Sequence, residues 1–196
     1  LEYTLDALPE SIDEVIVVVG YLGGMIHDHF GPEYFGKKML YVEQEELNGT
    51  AGALWLAKDV LKDRFLVIHG DDIYARSDME KMGKVKDWAF LVKKMESMRE
   101  GGRVVTDAHG GVVDIVEGVH DGQPGLIHTG MYTLDTRLFS ANLVPKAAKS
   151  PEFGLPQTVL AAAHALDIPL QAITASQWIK ITDQADLKKA EETLSA

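Results

Sequence analysis

Five consecutive β-branched residues, Val15 to Val19, constrain this 196-residue chain more than any other feature. An unbroken apolar run closed by Gly20, with no polar alternation, suits a strand covered on both faces in a parallel sheet. The strand reads as Glu14–Val19. Around it, helical and strand patterns alternate. Glu2–Leu8 has helical spacing up to Pro9, and Leu22–Phe30 reads as a helix closed by Gly31-Pro32. Met39–Glu43 is a second strand and Phe65–His69 a third. Between them, Thr50–Leu61 is helical, with Asn48 or Thr50 as its cap. This alternation predicts an α/β domain with a parallel sheet.

The second half changes character. Trp88–Val92 reads as a strand. Gly102–Thr106 and Val112–Val116 flank His109-Gly110-Gly111, a hairpin signal. Leu126–Leu134 and Leu170–Thr174 follow as strands, Leu155–Leu166 and Asp183–Leu194 as helices, the last capped by Asp183. The expected fold is α/β with three α/β/α layers, Rossmann-like, its sheet mixed but mostly parallel, with a hairpin added. Without repeats, linkers or low-complexity tracts, residues 1–196 read as one domain.

Composition narrows the function. No apolar run approaches the ~18–20 residues that span a bilayer, and the start Leu1-Glu2-Tyr3 lacks signal-peptide character. A cytoplasmic protein is the expectation. The absence of Cys removes thiol nucleophiles, disulfides and zinc-thiolate centres. The net charge of −11 opposes nucleic acid and anionic membranes as partners. A phosphate substrate would need local cations, backbone N–H groups or a metal ion.

Several motifs fail on inspection. Gly31 to Lys38 approximates a phosphate loop, but it ends in Lys where Ser or Thr is needed and lies between a helix and a strand. Gly20-Tyr21-Leu22-Gly23-Gly24 is not a dinucleotide fingerprint and reads as a tight turn. His27 and His29, two apart on a helix, point in different directions and make a poor metal pair.

Two segments carry chemistry. Val42 to Ala53 runs from a strand end through Gln44, Asn48 and Gly49 into a helix beginning Thr50-Ala51-Gly52. A helix start built of small residues offers N–H groups and a positive dipole end to an anion or a base edge; an ordinary capped helix has the same pattern. Phe65 to Asp72 sets Gly70-Asp71-Asp72 at the C-terminal end of a strand, the edge where open α/β sheets bind ligands. Carboxylates there suit Mg²⁺, a hard cation often shared with substrate phosphates. A turn capped by Asp is the plainer reading.

In order and spacing, the chain resembles the sugar-1-phosphate nucleotidyltransferases, or nucleoside-diphosphate-sugar pyrophosphorylases. The matching segments are Val18-Val19-Gly20-Tyr21, Gln44 with Gly49-Thr50-Ala51, Gly70-Asp71-Asp72, Gly102-Arg103-Val104, Glu117, Thr129-Gly130-Met131-Tyr132, and Trp178 to Leu187. The resemblance implies joining of a nucleoside triphosphate to a sugar 1-phosphate, with release of pyrophosphate. It also implies the site. Gln44 and Gly49 read the base edge, Thr50 and Ala51 bring helix N–H groups to the nucleotide, and Gly70 and Asp71 approach it. Asp71 is the catalytic residue and, with Asp72, ligates Mg²⁺. Gly102, Glu117, Thr129 and Gly130 line the sugar pocket. A homo-oligomer is compatible with the resemblance.

Three departures stand out. The family's opening strand and Gly-rich loop, with an Arg and a Lys, precede the helix in which this chain begins. The expectation is therefore an N-terminally incomplete domain, inactive at this length. Gly118 stands where many members have a Lys, and Lys180 where an Asp commonly supplies a second metal ligand. These departures keep two alternatives open: a non-catalytic nucleotide-sugar-binding regulatory subunit, and a metal-dependent glycosyltransferase.

Overall fold

The computed structural model describes residues 1–194, and of Lys189 only the backbone. In chain order the elements are α1 (Glu2–Asp6), β1 (Glu14–Val19), α2 (Gly23–Phe30), β2 (Glu33–Tyr34), β3 (Lys37–Glu43), α3 (Thr50–Leu56), β4 (Arg64–Val67), β5 (Ile73–Tyr74), α4 (Arg76–Lys84) and β6 (Trp88–Met95). There follow β7 (Glu100–Thr106), β8 (Val112–Val119), β9 (Gly125–Asp135), a 3-10 turn (Thr136–Ser140), α5 (Leu155–Leu166), β10 (Leu170–Thr174), β11 (Trp178–Ile179) and α6 (Gln184–Leu194). They form two compact units. One holds Leu1–Pro9, Leu66–Thr133 and the chain from Leu170 onward; the other holds Glu10–Phe65 and Leu134–Pro169.

In the second unit, β1 pairs in parallel with β3, from Glu14 opposite Lys38 to Val19 opposite Glu43. The ammonium of Lys38 donates to the Glu14 carboxylate across that first pair at 2.8 Å, an opposite-charge pairing that favours this register. β2 folds back on β3 through Phe35 and Gly36, both at positive φ (48° and 74°), as a two-residue hairpin turn requires. The segment resembling a phosphate loop is this hairpin. Its Lys37 is nearly buried and donates to the Ile12 carbonyl at 2.6 Å. Helix α3 stops at Leu56, five residues short of the expected end. Beyond it Val60 and Leu61 both donate to the Ala57 carbonyl, so the chain tightens into turns. Trp55 meets Phe139 edge-on and Phe65 stacks on Phe139 with centroids 5.9 Å apart, a half-buried aromatic cluster in this unit.

The first unit is built on a sheet in the order β10-β6-β9-β7-β8, and β4, whose last two residues lie in this unit, pairs with β9. Trp88 through Val92 on β6 are at most 1% exposed, which accounts for their continuous apolar run. β10 joins β6 in parallel. β9 runs antiparallel to β6, β7 runs antiparallel to β9, and β7 and β8 form the expected hairpin. The sheets are mixed, as the α/β reading requires, but their parallel share is smaller than expected. The reason is β9, which passes antiparallel between β6 and the hairpin.

Helix α4 has no sequence signal of its own, because its nine residues bury only Met79, Met82 and Asp78. Asp78 is 4% exposed, and its Oδ2 accepts from Ser176 N (2.8 Å), Ser176 Oγ (2.9 Å) and Gln177 N (3.2 Å). The carboxylate thus anchors the segment between β10 and β11. Replacing it by Ala strands two backbone N–H groups, and urea unfolding of Asp78→Ala is expected to show a loss of about 3 kcal/mol. Beyond β11, Asp183 caps α6 as expected, accepting from Ala185 N and Asp186 N. No helix among the described residues is long and apolar enough to cross a membrane.

Candidate metal and nucleotide-transfer site

The expected site residues fall into two groups, one in each unit. In the first unit, β4 ends at Val67 and the chain turns through His69, Gly70, Asp71 and Asp72 before β5. The His69 amide donates to the Gly130 carbonyl at 3.2 Å, tying this turn to β9. Gly130 has φ +79°, and a Cβ there would fall on the His69 ring. Glycine at this position therefore makes room for the imidazole. One ring nitrogen of His69 and one oxygen each of Asp71 and Asp72 lie within 4.8 Å of one another. His69 was not among the residues expected from sequence; a lone histidine before Gly-Asp-Asp carries no spacing signal.

The two carboxylates differ. Asp71 is exposed and its side chain makes no hydrogen bond among the described residues. Asp72 is 4% exposed. Its Oδ2 accepts from the Trp178 indole N–H at 3.0 Å, and its backbone carbonyl from the Thr4 hydroxyl at 2.8 Å. Burial pushes the Asp72 carboxyl up, and the Trp178 hydrogen bond opposes that shift. Burial likewise lowers His69, against the pull of the Asp71 charge, which favours the neutral imidazole that ligates metals. Lys180 is exposed, and its charge acts on both His69 and Asp72.

Of the expected sugar residues, Gly102 and Glu117 face each other across the β7–β8 pair. A Cβ on Gly102 would meet the His128 ring and the Glu117 carboxylate, whose Oε1 lies 3.8 Å from His128 Nε2. Thr129 is enclosed within the fold. It is 1% exposed, its hydroxyl donates to Leu91 O, and its carbonyl accepts from Tyr74 OH. Its place at the crossing of β6 and β9 makes it a structural tie. Close by, Tyr132 is fully buried, and neither its hydroxyl nor His128 Nδ1 has a hydrogen-bond partner among the described residues.

In the second unit, Gln44 follows β3, and its side-chain amide donates to Asn48 Oδ1 at 3.0 Å. The cap of α3 is neither Asn48 nor Thr50 but Gly49, at φ +96°. Asn48 is occupied with Gln44, and Thr50 Oγ1 accepts from Leu155 N at 3.0 Å. The Ala51 N–H donates to the Phe153 carbonyl at 3.1 Å, so it is not the open helix-start donor that was expected.

A family described as nucleotidyl transferase matches residues 1–186. The chain belongs to the nucleotidyl transferase family. Among relatives, it is 31% identical over 139 residues to the bifunctional protein GlmU of Methanocaldococcus jannaschii. That match covers 71% of this chain but only 33% of GlmU, about a third of the longer protein. It is 26% identical to the UTP–glucose-1-phosphate uridylyltransferase AglF of Haloferax volcanii, over 100% of this chain and 86% of AglF. In structure it resembles a putative glucose-1-phosphate thymidylyltransferase from Bacillus anthracis, with TM-score 0.77 and 23% identity, over 98% of this chain and 79% of that one. This likeness bears out the expected α/β nucleotide-diphospho-sugar transferase fold.

Proposed function

We propose that this nucleotidyl transferase joins a nucleoside triphosphate to a sugar 1-phosphate, giving a nucleoside-diphosphate sugar and pyrophosphate. The observation that carries the reading is the His69–Asp71–Asp72 cluster at the end of β4 in a chain of this family. The names of the relatives, uridylyltransferase and thymidylyltransferase of glucose 1-phosphate, support the substrate class.

Two carboxylates and an imidazole within reach of one another fit a divalent cation. Asp71, which is exposed, would supply one oxygen. Asp72 would supply another, with Trp178 holding its Oδ2 and so its rotamer. The bound cation, Mg²⁺ or a similar ion, would neutralise phosphate charge. The sugar phosphate is already a nucleophile: its oxygen attacks the α-phosphorus, and pyrophosphate leaves with the electron pair of the broken P–O bond. No general base is needed, so the work of the protein is positioning and charge. Lys180 adds positive charge for the phosphates. Glu117, beside Gly102, accepts from sugar hydroxyls, and Gly130 seats His69. Such substrates place the protein in the cytoplasm.

Pyrophosphate release tests this, measured on the protein as its gene encodes it. The reactions pair each of the common nucleoside triphosphates with hexose 1-phosphates, with and without divalent cation. Release that needs both substrates and the cation is expected. Tight binding of a nucleotide sugar with no turnover for any pair would favour a regulatory subunit instead.

A further inference from the structure

His69 is the one nitrogen donor in a cluster otherwise made of carboxylates, and its surroundings hold it there. Its amide is tied to Gly130 O at 3.2 Å. Its ring rests against the Cα of Gly130, a position where any larger residue would displace it. Its Nε2 is buried and has no hydrogen-bond partner among the described residues. A buried polar atom left unpaired is costly, and here a ring nitrogen lies within 4.8 Å of oxygens on Asp71 and Asp72. Oxygen-only sets suit Mg²⁺, which sheds its waters reluctantly and rarely takes nitrogen. An imidazole added to two carboxylates shifts the preference toward first-row transition ions.

We propose that His69 is a third protein ligand of the cation held by Asp71 and Asp72, and that the mixed donor set selects Mn²⁺ or Co²⁺ over Mg²⁺. The proposal rests on the reading above that a divalent cation binds at Asp71. It assigns His69 a role in ion selection rather than in the transfer step itself.

The test is Mn²⁺ binding to the whole protein without substrates, followed by electron paramagnetic resonance. One Mn²⁺ per chain is expected, displaced by Mg²⁺ only at an excess of tenfold or more. Electron spin-echo modulation should show coupling to an imidazole ¹⁴N, changed by ¹⁵N-histidine labelling. In His69→Gln that coupling should vanish and Mn²⁺ affinity fall about tenfold, while Asp71→Asn should abolish the site. The coupling is measured in the unaltered protein, so it does not depend on a variant folding. Mn²⁺ bound in an Asp71-dependent way without nitrogen coupling would overturn the role of His69 and leave the proposed function standing. Coupling that survives in His69→Gln would also overturn it, since another histidine must then be the source. Absence of any Asp71-dependent Mn²⁺ binding would remove the cation reading together with this inference.

Discussion

Gly49→Ala is expected to lose about 4 kcal/mol of stability. Two causes add. Gly49 sits at φ +96°, where a side chain is strained by about 1–3 kcal/mol. The new Cβ would also be driven into the backbone N and O of Phe153, which cannot move as a side-chain tip would. Those backbone atoms are already engaged: Phe153 N donates to Asn48 O at 2.7 Å, and Phe153 O accepts from Ala51 N. The methyl therefore breaks the clasp that joins the start of α3 to the segment ahead of α5, and such overpacking adds about 1–3 kcal/mol. For a chain of this size, calorimetry should find the melting temperature lowered by roughly 10 °C. Asn48→Ala, which removes only the Gln44 contact, should cost far less.

Asp71→Asn is expected to reduce kcat/KM for nucleotidyl transfer by about a thousandfold, roughly 4 kcal/mol of transition-state stabilisation, with stability unchanged. Asp71 is exposed and its side chain makes no hydrogen bond among the described residues, so folding does not depend on it. Its charge is what a bound cation requires, and Asn keeps the shape while removing that charge. Asp72→Asn provides the contrast. Asp72 is buried and holds the Trp178 indole, so its loss should appear in urea unfolding as well as in turnover. Steady-state kinetics and unfolding, run on both variants, separate the two roles.

Much of this architecture was legible in the residues. Val15–Val19 and Trp88–Val92 announced buried strands through continuous apolar runs, and His109-Gly110-Gly111 announced the β7–β8 hairpin. Gly70-Asp71-Asp72 could be placed near a strand end because Phe65–Ile68 is apolar, although β4 itself stops at Val67. The rest was hidden for identifiable reasons. Helix α4 buries two methionines and a carboxylate, too few apolar residues to make a stripe. β5 and β11 are two residues each, below any periodicity. The cap of α3 was misassigned because Asn48 and Thr50 are both good caps, and their hydroxyl and amide groups are committed to Leu155 and Gln44 instead. Thr129 looked like a pocket residue by its place in a motif, yet its side chain points to Leu91. His69 escaped notice because its partners come from the turn after β4 and from β9, a juxtaposition that only the fold creates.

The most direct test of the central claim is ³¹P NMR of the protein mixed with a nucleoside triphosphate, a hexose 1-phosphate and a divalent cation. A nucleoside-diphosphate sugar and pyrophosphate are expected to appear together in equal amounts, and neither to form when the sugar phosphate is left out. Phosphate or pyrophosphate accumulating without the sugar nucleotide would contradict the claim.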